Sequence, residues 1–249
     1  MKNLYLISLL CLLGVMAGSS APTQNAAWKP QPKRPDAVRV LLVTGGHDHD
    51  VEFYLAFDNA GIKTIVDPHP AAFSGDFRRR ADVLVLYDLV KSIDEQRRNN
   101  LRAFVESGKG VVVLHHAICN NVDWPWWYEE VVGGRYLFES VNGKQSSYKH
   151  DEDQLITTVI NHPITEGLGA FRIHDETYKD LWISPKVKVL LRSDNPTSDG
   201  PVAWISPYEK SRVVYLQLGH DRNANLNPSY QRLVRNAIQW AAGAKPAHQ

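Results

Sequence analysis

Four short stretches carry histidines, three of them with carboxylates in close succession: Gly45-Gly46-His47-Asp48-His49-Asp50, His115-His116, His174-Asp175-Glu176 with Tyr178, and Gly219-His220-Asp221. Histidine is the side chain that gains or loses a proton near neutral pH, and a neighbouring carboxylate can orient its ring or share the task. These residue types suit proton transfer to and from a bound molecule. His116 and His220 are the acid/base candidates, with His47 as the alternative to His116 and Glu176 orienting or assisting. His47, Asp50, Trp127, Tyr128 and Tyr178 are read as substrate contacts. His47 and His49 beside Asp50 also suit a divalent metal, through imidazole and carboxylate ligands. The sequence points to no other cofactor.

Each of these residues has a plainer role open to it. Asp50 could simply cap a helix beginning at Val51, and Glu176 could pair with an arginine. His115 and His116 are adjacent, so in extended chain they point to opposite faces and one should pack against the core. Trp124, Trp126 and Trp127 either fill the core or stack on sugar rings. Cys119 lies past a strand end with no flanking glycine elbow and reads as inert. There is no G-x-S-x-G elbow, no Walker loop, no G-x-G-x-x-G after a strand and no H-E-x-x-H.

The elements that must position these residues follow from apolar runs and their punctuation. Val38 to Thr44 is nearly continuous in apolar residues and ends at Gly45-Gly46, as for a strand buried on both faces. Val51 to Ala60 has helical spacing and stops at Gly61, followed by short strands over Ile62 to Val66 and Val83 to Tyr87. Ser92-Ile93-Asp94-Glu95 reads as a capping box for a helix running to Ser107, and Val111 to Leu114 is a fourth strand. This order predicts a mostly parallel sheet covered by helices. Beyond residue 116, a short aromatic helix over Trp124 to Val132 and a polar loop over 139–153 are expected. Further strands are expected over Leu155 to Ile160, Phe171 to Ile173, Val187 to Arg192, Val202 to Ser206 and Val213 to Leu218, with a closing helix over Ser229 to Ala242. Ligands of open parallel sheets bind outside the carboxyl ends of the strands, and the four histidine-bearing stretches each follow an expected strand.

Residues 1–21 have the layout of a secretory signal peptide: Lys2, an apolar run from Leu4 to Met16, then small residues to Ala21. The run is too short for a stable membrane span. Residues 22–37 read as a proline-bearing linker and 38–249 as one α/β domain. Removal of the leader takes Cys11 with it, leaving Cys119 and no internal disulfide. With 28 basic and 27 acidic side chains, the chain has no surplus for neutralising phosphates, which argues against nucleic acid as a partner. Association into a homo-oligomer stays open.

Several of these stretches, in order over about residues 38–243, resemble the ThuA-like (trehalose-utilisation) family. They are Val40 to His49, Gly110 to Ala117, Trp127-Tyr128 with Val132-Gly133-Gly134, Asn161-His162-Pro163-Ile164-Thr165-Glu166-Gly167-Leu168, and Asp175-Glu176-Thr177-Tyr178. Pro201-Val202-Ala203-Trp204, Leu218-Gly219-His220 and Trp240-Ala241-Ala242-Gly243 complete the series. The resemblance implies a class I glutamine amidotransferase-like, flavodoxin-like α/β fold, with a mostly parallel sheet and helices on both faces. In that superfamily a nucleophilic cysteine follows a buried strand at a sharp elbow and a histidine follows a late strand. Here histidines stand where the cysteine would be, and His220 stands where the histidine would be. Without a thiolate an acyl-enzyme has no nucleophile, so glutamine hydrolysis is not expected.

The family link is to trehalose and related disaccharides through their 3-keto derivatives. A keto-sugar carries an acidic proton beside its carbonyl, and enolisation, isomerisation or β-elimination needs one base and one electrophile, either a metal or a histidine donor. The chain is therefore expected to be an exported enzyme acting on a sugar or keto-sugar. The alternative is a non-catalytic carbohydrate-binding or interaction protein on the same fold. For the enzyme, His47, one of His115 and His116, Glu176 and His220 should share one cleft, with the other member of the pair in the core.

Overall fold

The computed structural model describes residues 37–243; the expected leader, all but the last residue of the expected linker, and the last six residues lie outside the described part. Eleven strands and three α-helices follow in order: β1 (Val38–Gly45), β2 (Ile62–Pro68), β3 (Val83–Asp88), α1 (Glu95–Glu106), β4 (Gly110–Leu114), β5 (Gly134–Arg135), β6 (Ser147–Thr158), β7 (Phe171–Lys179), β8 (Trp182–Ile183), β9 (Lys188–Ser193), β10 (Pro201–Ile205), β11 (Val213–Leu216), α2 (Arg222–Leu226) and α3 (Pro228–Ala241). Nine strands form one sheet in the order β2-β1-β3-β4-β11-β10-β9-β6-β7, and β5 pairs with β8 separately. No helix among the described residues is long and apolar enough to cross a membrane.

The register is set by apolar residues alternating between two cores. Leu42, Val85, Val112 and Val214 lie in one row across neighbouring strands, and Leu41, Leu84, Val111 and Val213 in the next. The first row joins a core that also holds Leu233, Val234 and Ile238 of α3. The second joins a core with Leu101, Phe104 and Val105 of α1 and Trp127. Each of these side chains is fully buried, worth about 1.5–3 kcal/mol apiece, so a one-residue slip of any central strand would forfeit several of them.

The sheet corrects the mostly parallel expectation. Pairing is parallel from β2 through β11, but β11 to β10, β10 to β9, β9 to β6 and β6 to β7 are all antiparallel. The cause lies between Gly134 and Ser206, where no α-helix stands between successive strands to carry the parallel crossover.

Smaller expectations change for local reasons. The helix expected over Val51 to Ala60 is a 3-10 segment, Val51–Ala56, and Asp50 precedes it in extended backbone without a side-chain cap bond. Asp94, not Ser92, caps α1 by accepting from the amide of Arg97, while the Ser92 hydroxyl donates to Asp123. The aromatic helix is a π-helical segment, Trp126–Val132, ending at Gly133 in left-handed conformation. The region read as a polar loop is a hairpin-like excursion: Val141 bridges Lys144 across Asn142-Gly143, whose φ angles are 52° and 79°, and the chain returns directly into β6.

Candidate active site

The end of β4 carries the most unusual backbone of the site. His115 has φ 48°, in the left-handed region that non-glycine residues seldom occupy. A 3-10 turn, His115–Cys119, starts there, so the side chains no longer alternate as in a strand. The strain is held by neighbours. The Tyr215 hydroxyl donates to the His115 carbonyl, and the His115 ring donates from Nδ1 to the carbonyl of Gln217 at 2.6 Å. That bond leaves Nε2 of the neutral ring as the lone-pair nitrogen, facing His220 and the Tyr178 hydroxyl.

Two glycines bring the other histidines in. Gly46 (φ 75°) lies so close to Leu89 that a Cβ would meet its carbonyl oxygen at 2.2 Å, and His47 follows it. Gly219 (φ 112°) packs under the Tyr230 hydroxyl, where a Cβ would stand 2.1 Å away, and His220 follows it. The loop after β11 is then fixed by Asp175, which accepts from the amides of Gly219 (2.8 Å) and His220 (3.0 Å). Burial pushes the Asp175 carboxyl up to about 7, against the pull of these amide donors.

Three polar groups converge on His115 Nε2. His220 Nδ1 is 3.0 Å away, the Tyr178 hydroxyl 3.1 Å and Glu176 Oε1 3.7 Å. The other carboxylate oxygen of Glu176 meets His150 Nδ1 at 2.8 Å and His220 Nδ1 at 3.4 Å. Burial raises Glu176 to about 7 and drives His115 well below its ordinary value. His220 is also lowered, chiefly by burial. Around neutrality, two imidazoles without charge and a carboxyl near its midpoint therefore face one another. His115, Glu176 and His220 are the group of ligand-type side chains close enough to hold one metal ion among the described residues.

This cluster floors a cleft of about 420 Å³. His47 and His116 line one side, with rings stacked at 4.5 Å, and the His47 ring is 5.5 Å from that of His220. Tyr136, Phe138, Tyr148 and His150 form the other side. His47 donates from Nδ1 to the Asp48 carbonyl, which leaves its Nε2 free to accept a proton.

The structure brings His47, His116, Glu176, Tyr178 and His220 into one cleft. It differs from the sequence reading over the histidine pair. Both His115 and His116 are buried and both line the cleft, but it is His115 that meets Glu176 and His220. Positive φ at His115 defeats the alternation argument. His116 instead stacks on His47 with neither ring nitrogen hydrogen-bonded, and burial lowers it to about 3.

His49 turns away from His47 to meet the Tyr54 hydroxyl at 2.9 Å, so those two rings do not converge as a metal pair. Asp50 is exposed and does not line the cleft. Trp127 is core, and Tyr128 lies under the Arg135 guanidinium at 4.3 Å; neither reaches the cleft. His174 pairs outside it with Asp153 at 2.9 Å. Cys119 borders the cleft as a buried thiol pushed up to about 12.

Sequence reasoning missed Tyr136, Phe138, Tyr148 and His150. The available signal was Asn142-Gly143, the strongest two-residue hairpin turn, flanked by Tyr136-Leu137-Phe138 and Tyr148-Lys149-His150 with aromatic and polar residues at every second position. Glu176 was expected beyond a strand but sits inside one, since β7 continues to Lys179.

A family model described as ThuA, trehalose utilisation, matches residues 25–241. Among solved structures, a protein described as ThuA-like from Parabacteroides merdae superposes with a TM-score of 0.69 at 21% identity, covering 86% of this chain and 93% of that one. A second, from Bacteroides uniformis, gives 0.64 at 19% identity, with 86% and 95% covered. A protein described as a GMP synthase component from Thermoplasma acidophilum shares the fold at a TM-score of 0.54 and 13% identity, with 83% and 95% covered. Among curated proteins none matches.

Proposed function

The chain belongs to the ThuA trehalose-utilisation family, and from that premise we propose that it is an exported enzyme acting on a sugar or keto-sugar by proton transfer. The observation that carries this reading is the convergence of His115, Glu176 and His220 in one cleft that His47 also lines, its ring 5.5 Å from that of His220. A keto-sugar seated there presents its carbonyl oxygen to the buried cluster, which acts as the electrophile. The proton on the adjacent carbon faces the free Nε2 of His47, which acts as the base. Tyr136, Phe138 and Tyr148 supply ring faces and edges of the kind that pack on sugars. His115 occupies the position after β4 where the amidotransferase-like fold would place a cysteine, and an imidazole there offers no acyl-enzyme chemistry. The leader-like sequence of residues 1–21 supports export.

The test is exchange. The purified protein is incubated in deuterium oxide with 3-keto-trehalose, and the proton beside the carbonyl is followed by NMR. Loss of that signal, with conversion to an enediol-derived or eliminated product, is expected. Tight binding of unoxidised disaccharide with no exchange on any keto-sugar would instead make this a carbohydrate-binding protein.

A further inference from the structure

We infer that His115, His220 and Glu176 form a binding site for one divalent transition-metal ion of the zinc type, open to the cleft on its fourth side. The inference deepens the reading above and rests on its assignment of this cluster as the electrophile.

Three features of the geometry carry it. The first is spacing. In a tetrahedral site with ligands about 2.0–2.1 Å from the metal, neighbouring ligand atoms stand about 3.3 Å apart. His115 Nε2 to His220 Nδ1 is 3.0 Å, His220 Nδ1 to Glu176 Oε2 is 3.4 Å, and His115 Nε2 to Glu176 Oε1 is 3.7 Å. Three protein ligands with the fourth position facing a cleft is the arrangement of a reactive site, in which a water or substrate oxygen completes the shell.

The second is over-subscription. With Nδ1 committed to the Gln217 carbonyl, His115 Nε2 has one lone pair, yet both His220 Nδ1 and the Tyr178 hydroxyl lie at hydrogen-bond distance from it. One lone pair cannot satisfy two donors. A cation between the rings resolves the conflict: each imidazole turns its lone pair toward the cation, and the Tyr178 hydroxyl donates to its other neighbour, Glu176.

The third is the outer shell. Metal-bound histidines commonly donate their second N–H to a backbone carbonyl, and ligating carboxylates are themselves hydrogen-bonded. His115 makes the first of these bonds and His150 makes the second, to Glu176 Oε2 at 2.8 Å. Two imidazoles with one carboxylate favour zinc, cobalt, nickel or iron over magnesium and calcium, which take oxygen ligands.

The experiment uses the full untagged chain, stripped with chelator and titrated calorimetrically with Zn²⁺, with Mg²⁺ in parallel. One Zn²⁺ per chain is expected, with no uptake of Mg²⁺ at the same concentrations. Glu176→Gln and His220→Ala should weaken binding by at least about 100-fold, His150→Ala by about 10- to 100-fold, and His174→Ala not at all. Loading wild type with Co²⁺ guards against a variant that fails to fold: the absorption bands of a four-coordinate site are expected. Absence of saturable Zn²⁺ uptake by wild type, uptake unchanged in both Glu176→Gln and His220→Ala, or Co²⁺ bands no stronger than those of the hydrated ion would each overturn the inference. Turnover is not among these readouts. A chain that binds zinc but exchanges no keto-sugar proton keeps the metal site and loses the proposed function, and the reverse result does the opposite.

Discussion

The imidazole of His115 meets that of His220 at 3.0 Å, Nε2 to Nδ1, across 105 residues of sequence. The contact ties the strained turn after β4 to the loop after β11. Those two strands are parallel neighbours, with Leu114 opposite Leu216, so their carboxyl ends deliver both rings to one edge of the sheet.

His220→Ala should lower turnover by about 10²–10⁴-fold, the range for losing a group that assists proton transfer. The loop should hold, because Asp175 grips it through backbone amides that the substitution leaves in place. Rate and melting temperature measured on one sample separate the outcomes. A folded His220→Ala protein with wild-type turnover removes this histidine from the mechanism.

At His115 the backbone gives a second handle. Asparagine tolerates left-handed conformation better than alanine, where the cost is about 1–2 kcal/mol. His115→Asn should therefore melt higher than His115→Ala, by about 2–4 °C per kcal/mol recovered in a chain of this size. Both should be inactive. Equal melting of the two variants would show that the turn relaxes when the ring is removed.

For His116 the prediction is a pH dependence. Its folded-state value, lowered to about 3 by burial, lies below the ordinary 6.5. As pH falls through 6.5 the unfolded chain takes up a proton that the native histidine refuses, so stability drops with acidity from there down to about 3. His116→Phe removes this dependence together with two buried ring nitrogens that make no hydrogen bond. Denaturant titrations at pH 5 and pH 8 should show the variant gaining on wild type at the lower pH. A constant difference between them would mean that the native ring protonates normally.

Cys119→Ser should leave turnover within a few-fold of wild type, and thiol-directed reagents should not inactivate the protein at neutral pH. The thiol is buried and held up to about 12, so almost none is thiolate. A rate loss on the scale of a deleted nucleophile, 10³-fold or more, would move the chemistry from the histidines to the sulfur.

Tyr148 is 59% exposed on the hairpin side of the cleft. Tyr148→Ala should raise KM by about 2- to 10-fold, as expected for an aromatic contact of about 0.5–1.5 kcal/mol, while kcat and melting temperature stay near wild type. An effect confined to kcat would place the ring in the chemistry rather than in binding.

Much of this arrangement is written locally. The β-branched apolar runs at Val38 to Thr44 and Val111 to Leu114, short and bounded by glycine or polar residues, predict the strands that they form, and the glycines before His47 and His220 mark where those histidines leave the sheet. Such stretches are enough to read off the parallel half of the sheet and the edge at which the histidines following its strands gather. Asn142-Gly143 also carried a hairpin within its own two residues.

Which histidine of the pair is central, and which carboxylate meets it, depends on the folded chain as a whole. Strand alternation separates His115 from His116 only while the chain stays extended. The φ of 48° at His115 is imposed by partners about a hundred residues away, the Tyr215 hydroxyl and the Gln217 carbonyl. Glu176 reaches the cluster from the antiparallel edge strand β7, whose place beside β6 depends on a pairing order that no local run encodes. Local residue types set what each segment can become, because propensity and burial act over a few neighbours. Long-range pairing sets which side chains meet, because those contacts exist only once distant strands have closed on one another.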